Sequence, residues 1–148
     1  MVRLSPPAWT LIYLLIAAGL SALAGWPRIP GLPIAWLGAT LVALGVVLSV
    51  TAAMLFRREG TEINPTSSTN KKLVTSGPFR LTRNPMYLAL VAASTGIAIW
   101  IGSWPMLLAP IATFATANWV HIPFEEAKMR RQFGATFDDY SRKVRRWV

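Results

Sequence analysis

Four long stretches without any charged side chain constrain this chain more than any other feature. They are residues 8–24, 34–56, 86–101 and 105–120, of 17, 23, 16 and 16 residues, and together they hold 72 of the 148 residues. At about 1.5 Å per helical residue, the shorter stretches reach about 25 Å and the longest about 35 Å, against a hydrocarbon core of about 30 Å. We therefore predict an all-α integral membrane protein with four transmembrane helices.

Composition excludes the other broad classes. With 53% hydrophobic and 14% charged residues, the chain has too few polar groups to cover a water-exposed surface or to stay disordered. The absence of Cys excludes disulfides, thiolate metal sites and cysteine nucleophiles. A chain of 148 residues is one domain of ordinary size, so we predict a single domain over residues 1–148.

The positions of the cations predict the topology. One cation precedes the first stretch, Arg28 follows it, six lie between the second and third stretches, and seven follow the fourth. With four spans both termini share one side, which then carries 14 cations against one, a strong signal for both termini inside. Four Trp residues would then lie near the outer interface: Trp26, Trp36, Trp100 and Trp104. Because topology and anionic lipid explain the positive charge, we predict membrane lipids and no nucleic acid as partners.

Two features of the spans leave alternatives open. Ala22-Leu23-Ala24 also fits a signal-peptidase site, but the richness of the segment in small packing residues favours a retained helix. Small residues on one face of the second and third spans, such as Gly45 and Gly96, allow close helix packing within one chain or between two copies. The oligomeric state therefore stays open. The short spans and the lack of a targeting signal favour a prokaryotic plasma membrane.

Polar residues are concentrated in two segments predicted to be cytosolic, residues 57–85 and 121–148. Turn-forming residues, Asn64-Pro65, Ser67-Ser68 and Ser76-Gly77-Pro78, interrupt the first segment. The second is amphipathic, and its apolar residues suit a helix face on the bilayer surface: Met129, Phe133, Phe137, Tyr140 and Val144. Gly134 is expected to break that helix. Together the two segments are predicted to cap a site at the cytosolic face.

Several common functional motifs are absent from the sequence, and their absence excludes the corresponding kinds of site. The sequence has no phosphate-binding glycine loop, no dinucleotide fingerprint and no pair of His residues, and His121 with Glu125 is too weak a pattern for a metal site. Glu126 has Arg130 at i+4 as an ion-pair partner, whereas Glu125 has Met129 there, which leaves its carboxylate available to a cationic ligand. Pro85 suits the first turn of the third span. We predict a binding site without metal.

These segments resemble a family of membrane enzymes. The resemblance rests on Leu73-Val74-Thr75-Ser76-Gly77-Pro78-Phe79-Arg80, Arg83-Asn84-Pro85-Met86-Tyr87-Leu88, His121 with Glu125-Glu126, and Phe133-Gly134 with Tyr140 and Val144, within roughly residues 60–147. In order and spacing they are similar to the isoprenylcysteine carboxyl methyltransferase and phospholipid methyltransferase superfamily. The resemblance implies an integral membrane enzyme that uses S-adenosylmethionine, with S-adenosylhomocysteine as product.

The resemblance also implies residue roles. Glu125 would bind the amino-acid end of the cofactor, and His121 stands where eukaryotic relatives carry an Arg that faces the substrate. The implied catalytic residues are Arg83 and His121, and the implied cofactor-binding residues are Lys72, Leu73, Val74, Phe79, Asn84, Pro85, Met86, Tyr87, Glu125 and Glu126. This chain departs from the family pattern at Phe79 and Phe137, which replace Tyr, at Ala89, which replaces Gly, and at Lys143 and Arg145, which replace Arg and Pro.

The predicted function is methyl transfer to a lipophilic small molecule or lipid at the cytosolic membrane face. The acceptor is either carboxylate-like, as in isoprenylcysteine, or amine-like, as in a phospholipid, and the sequence leaves O-, N- and S-methylation open. A carboxylate needs no base, whereas an amine or thiol must lose a proton, for which His121 is the candidate. The main alternative is a non-catalytic membrane protein that binds anionic lipid through its basic cap, and a small transporter is the third.

Overall fold

The described part of the chain is helical throughout. The computed structural model describes residues 4–32, 34–60 and 72–148, and these ranges contain no strand beyond one isolated bridge between Arg28 and Ser103. The α-helices are α1 (Pro6–Leu23), α2 (Ala35–Arg58), α3 (Pro85–Ile101), α4 (Leu108–Thr116), α5 (Ile122–Phe133) and α6 (Ala135–Lys143). Short 3₁₀ turns span Gly77–Arg80 and Trp104–Leu107, and a π-helical turn, Ala117–His121, joins α4 to α5. The all-α prediction is confirmed.

Helices α1 and α2 are long and apolar enough to cross a membrane, and α3, with 17 residues, is a shorter apolar helix. The first three predicted spans agree with α1, α2 and α3 to within two residues at each end. The fourth predicted span, 105–120, contains α4 and most of the 3₁₀ turn and of the π turn that flank it. The four crossings and their orientation stay predictions. The predicted turns at Asn64-Pro65 and Ser67-Ser68 lie outside the described residues.

Local chemistry explains where the helices begin and end. Pro occupies the first turn of α1 and α3, where its missing N–H costs no helical hydrogen bond. Gly102, in the left-handed region at φ 68°, ends α3. Gly134, at φ 50°, separates α5 from α6 as the sequence predicted.

The backbones of α2 and α3 are in close contact. A Cβ atom on Gly45 would lie 2.7 Å from the carbonyl oxygen of Ala89, and one on Gly96 would lie 2.6 Å from that of Gly38. Only glycine permits this separation, which gives the helices their dispersion contacts in a medium without a hydrophobic driving force. At least these small residues therefore serve packing within the chain.

The two short interhelical connections meet at one end of the bundle. The Ile29 amide donates to the Gly102 carbonyl at 2.9 Å, and the Trp104 amide donates to the Pro27 carbonyl at 3.1 Å. The Trp residues predicted for the outer interface are all exposed, and all lie at this end: Trp26, Trp36, Trp100 and Trp104. They lie where an aromatic belt is expected.

At the opposite end the chain terminus returns to the start of α3. Residues 144–148, here called the C-terminal strap, follow α6 and pack against the segment before α3. The Arg83 amide donates to the Arg145 carbonyl at 2.9 Å, and the Tyr140 hydroxyl donates to the Phe79 carbonyl at 2.7 Å. Phe137 is only 4% exposed. The prediction that Phe137 and Tyr140 lie on the bilayer surface is therefore wrong, because both face the protein.

Candidate active site

Three charged side chains join the strap, α5 and the start of α3. The Glu126 carboxylate accepts a hydrogen bond from Arg83 Nη2 at 2.7 Å and another from Arg146 Nη2 at 2.6 Å. Arg83 Nη1 also donates to the carbonyls of Ser141 and Val144, at 2.8 and 2.7 Å. Burial alone would raise the pKa of Glu126, but the hydrogen bonds and charges of the two arginines outweigh it and hold this pKa below its usual value. Glu126 is therefore a paired carboxylate.

The observed ion pairs of Glu126 differ from the pair that helix spacing predicted. The predicted i+4 pair between Glu126 and Arg130 does not form, because Arg130 instead donates to Asp138 at 2.8 Å. Arg130 lies at the surface, whereas Arg83 reaches Glu126 across the fold. Neither partner of Glu126 is a neighbour on its own helix, so helix periodicity alone gave the wrong pair.

The strap also fixes the first residues of α3. The Asn84 side chain donates to the Arg146 carbonyl at 3.0 Å, and the Asn84 amide donates to the Thr82 hydroxyl at 3.1 Å. Thr82 in turn donates to the same Arg146 carbonyl at 2.9 Å. Asn84 and Pro85 are buried, and the strap holds them at the point where α3 begins.

Beside this network, Tyr87 connects Glu125 to His121. The Tyr87 hydroxyl donates to Glu125 Oε1 at 2.5 Å, and its ring lies nearly parallel to the His121 ring, with centroids 6.1 Å apart. Glu125 thus has no cation at i+4, as the sequence predicted, and it accepts a hydrogen bond from Tyr87, which the sequence did not predict. No ion pair in the described ranges includes Glu125, and burial raises the pKa of its carboxyl to about 7.

His121 ends the π-helical turn and is only 3% exposed. Burial lowers the pKa of its imidazole from the usual 6.5, so the ring is neutral at pH 7. Its Nε2 atom has no hydrogen-bond partner among the described residues. A buried, neutral imidazole with a free nitrogen can accept a proton or a hydrogen bond.

The apolar members of the predicted site form a cluster of their own near the start of α3. Val74 and Phe79 are each 6% exposed, and they form a cluster with Ala52 of α2 against which Met86 packs. The Phe79 ring also meets Phe56 edge to face at 5.3 Å. This cluster packs apolar side chains against the start of α3.

The two residues before this cluster are less enclosed. Leu73 is half-buried. Lys72 is largely exposed and forms an ion pair with Glu59 at 2.5 Å. Their predicted contact with a cofactor stays a prediction.

The structure thus brings the predicted residues together in three groups. The Tyr87 group contains Glu125 and His121, the Arg83 group contains Asn84 and Glu126, and the apolar group contains Val74, Phe79 and Met86. All three groups adjoin the first turn of α3.

Sequence reasoning missed Arg146, and with it Asn118, whose side-chain oxygen accepts a hydrogen bond from Trp147 Nε1 at 3.0 Å. An amide at the end of a charge-free span was the one signal that marked Asn118. These residues meet only after the strap has returned, 29 residues along the chain in the case of Trp147.

The donor set fits the predicted cofactor at one end. S-adenosylmethionine has a cationic ammonium and sulfonium, and Glu125 is a half-buried carboxylate that lacks an ion pair among the described residues. A cation beside it would restore the charged form that burial disfavours. Glu126 has both oxygens engaged, so its geometry indicates a structural role.

Comparison with known proteins agrees with the resemblance that the sequence motifs indicated. The model of the phospholipid methyltransferase family matches residues 33–136. The chain is 32% identical over 127 residues to protein-S-isoprenylcysteine O-methyltransferase B of Arabidopsis thaliana. The matched region covers 78% of this chain and 61% of the plant protein. The chain is 30% identical over 119 residues to a probable protein-S-isoprenylcysteine O-methyltransferase of Oryza sativa subsp. indica, covering 75% and 59%. The chain thus spans about three fifths of these relatives. No solved structure matches it.

Proposed function

Because the chain belongs to the phospholipid methyltransferase family, we propose that it transfers a methyl group from S-adenosylmethionine to a lipophilic small molecule or lipid at a membrane surface. The observation that carries this proposal is Glu125, a half-buried carboxylate whose hydrogen-bond partner is a Tyr hydroxyl and whose pKa is raised to about 7. Removing a carboxylate from water costs free energy unless a cation pairs with it.

In this proposal Glu125 binds the ammonium end of the cofactor, and Tyr87 orients the carboxylate. The cofactor supplies an electrophilic methyl group on its sulfonium. Val74, Phe79 and Met86 form the apolar backing of the pocket. Lys72 and Leu73 lie just before that cluster in the chain, so they too belong to the proposed cofactor-binding set.

Arg83, Asn84 and Pro85 act by position. The Arg83 guanidinium donates to Glu126 and to the carbonyls of Ser141 and Val144, and these bonds fix the start of α3. Glu126 serves the same purpose from α5. Because methyl transfer is an in-line displacement, alignment and exclusion of water matter more than a nucleophilic side chain.

His121 is the proposed proton acceptor. An amine, hydroxyl or thiol acceptor gains a methyl group and loses one proton, and the neutral imidazole takes that proton at Nε2. Burial keeps the ring neutral at pH 7, which is the form that this step requires.

We further propose that residues 1–148 form a single domain with four crossings and with both termini and the site on the cytoplasmic side, most simply in a prokaryotic plasma membrane. The exposed Trp residues lie at the opposite end of the bundle from the strap. The basic segments lie at the strap end, as the positive-inside rule requires of a cytoplasmic face.

The test is calorimetric titration of nanodisc-embedded protein with S-adenosylhomocysteine. We expect binding in the native protein, and loss of binding in Glu125→Ala. Asp139→Ala is the matched control, because Asp139 is an exposed carboxylate that pairs with Arg142 on α6. Retained affinity in folded Glu125→Ala would reject the assigned site. Absence of binding in the folded native protein would favour the non-catalytic, lipid-binding alternative.

A further inference from the structure

A cavity of about 10 Å³ lies between α1, α3 and α4, beside the Tyr87 group. It is large enough for the polar atom of a ligand or for about one water molecule. Four of its lining residues come from the first two turns of α1: Pro6, Trp9, Thr10 and Tyr13. Tyr87 and His121 line it from the other side, so the cavity and the Glu125 carboxylate share Tyr87 as a wall.

Two polar atoms on residues of the cavity lining are buried and have no hydrogen-bond partner in the described part of the chain. They are His121 Nε2 and Thr113 Oγ1, on residues 3% and 5% exposed. A neighbouring hydroxyl pair shows the usual alternative, since Tyr13 and Thr116 bond to each other at 2.7 Å. Because an unpaired buried polar group is costly, two of them on one cavity indicate that a polar atom, of a ligand or of a water molecule, pairs with them.

The lining also indicates the charge of that ligand. Its lining residues within the described ranges contain no Lys, Arg, Asp or Glu side chain. A carboxylate there would lose its hydration without gaining a cation, whereas an N–H or O–H group can donate to His121 Nε2. Trp9, Tyr13 and Tyr87 also line the cavity, and aromatic rings favour an ammonium over an anion.

We propose that this cavity binds the head group of an amphiphile that donates an N–H or O–H and has no negative charge, through His121 Nε2 and Thr113 Oγ1. The inference rests on the proposed function, since it names the acceptor class of that reaction. It also goes beyond the family match, because α1 precedes the matched residues 33–136 and yet supplies one wall. The chain would then methylate an amine or hydroxyl in preference to a carboxylate.

A single histidine makes the site directly observable, because His121 is the only one in the chain. Protein labelled with ¹⁵N-histidine, purified without a polyhistidine tag and held in nanodiscs, is titrated at pH 7.5 with dodecylamine, dodecanol or dodecanoate. We expect the amine or the alcohol to shift the Nε2 resonance saturably, and the carboxylate to leave it unchanged. A shift by dodecanoate at equal or lower concentration would overturn the proposal, and so would no shift by any probe, which would mean that the cavity holds water only.

Thr113→Val is the matching variant. The Thr113 hydroxyl has no described partner, so its removal breaks no hydrogen bond of the fold, and we expect a folded protein with about fivefold weaker amine or alcohol binding. Thr51→Val is the control, because the Thr51 hydroxyl bonds its own helix at the Val47 carbonyl on an exposed face. Equal affinity in both variants would overturn the proposal.

The titration needs no cofactor, so it separates this inference from the proposed function. Amine binding without S-adenosylhomocysteine binding would leave the cavity assignment in place and remove methyl transfer. The reverse result would leave methyl transfer in place and remove the assigned acceptor class.

Discussion

At the scale of single residues, Glu125 and Glu126 show how neighbours in sequence acquire opposite properties. Glu126 lies between two arginines, which hold its pKa low. Glu125 is half-buried against a Tyr hydroxyl, and its pKa is raised to about 7. The protein thus keeps one carboxylate as a structural ion pair and the other as a group that gains from a cation.

The raised pKa of Glu125 predicts a pH-dependent affinity. A cationic ligand needs the carboxylate form, which predominates above pH 7 and must be generated by proton release below it. We expect the affinity for S-adenosylhomocysteine to be highest near pH 8 and to fall about tenfold per unit below pH 7. Calorimetry in buffers of different ionisation enthalpy measures the released proton directly. A flat affinity from pH 8 to 5.5 would show that Glu125 does not bind the charged end.

The same shift predicts a stability effect of opposite sign to that of an ordinary ion-paired carboxylate. Because the folded pKa of Glu125, about 7, exceeds its usual 4.5, the folded state binds the proton more tightly, and the free protein loses stability as the pH rises from 4.5 to 7. Glu125→Gln keeps an acceptor for Tyr87 and removes this loss. At pH 8 we expect its melting temperature to exceed that of the native protein by on the order of 4 °C. Equal melting temperatures at pH 8 would argue against a costly buried carboxylate.

At the scale of elements, the contact between α2 and α3 depends on glycines that no side chain can replace. A Leu at position 45 would meet the Ala89 carbonyl and the Ala93 side chain, since even a Cβ there lies 2.7 and 3.1 Å from them. We expect Gly45→Leu to destabilise the protein by about 1–3 kcal/mol. Gly19→Leu on α1 is the matched control, because no atom lies within 4 Å of its Cβ position. Thermal unfolding in nanodiscs measures both, and equal stability would contradict the tight seam.

The strap gives a second prediction for an element. Arg146→Ala removes one of the two arginines of Glu126 while leaving the backbone carbonyl that holds Thr82 and Asn84. We expect hydrogen exchange at the Arg83 amide to quicken about tenfold, since a charged hydrogen bond contributes about 1.5 kcal/mol. Arg145→Ala, at an exposed position of the same strap, is the control. Unchanged exchange in Arg146→Ala would mean that the ion pair does not secure the strap.

These elements also show what can be predicted from the sequence. The helices α1, α2 and α3 and the break at Gly134 follow from uncharged length, Pro and Gly, which act locally. Asn84 and Tyr87 at the start of α3 were found as a motif. Arg146 was not found, and the contact between Tyr87 and the predicted residue Glu125 was not foreseen, because Arg146 meets Asn84 across 62 residues and Glu125 meets Tyr87 across 38. Helix periodicity reports only on neighbours three or four residues apart.

At the scale of the whole molecule, the two ends of the bundle differ in chemistry. One end has exposed Trp residues and the paired short connections. The other has the strap, the half-buried Glu125 and the basic segments. This polarity is what a protein needs when a water-soluble cofactor and a lipophilic acceptor meet at one membrane face, because the cofactor approaches from water and the acceptor from between helices.

The polarity predicts a topology that the chain is well suited to test, because it contains no native cysteine. Single cysteines at the exposed positions Pro30 and Thr136 mark the Trp end and the strap end. If both termini and the site face the cytoplasm, a membrane-impermeant maleimide labels Pro30→Cys in right-side-out vesicles and Thr136→Cys only in inverted ones. Labelling of both cysteines from one side would contradict four crossings with opposite ends exposed. The inverse pattern would keep the fold and place the site on the outer face, where a cytosolic methyl donor has no access.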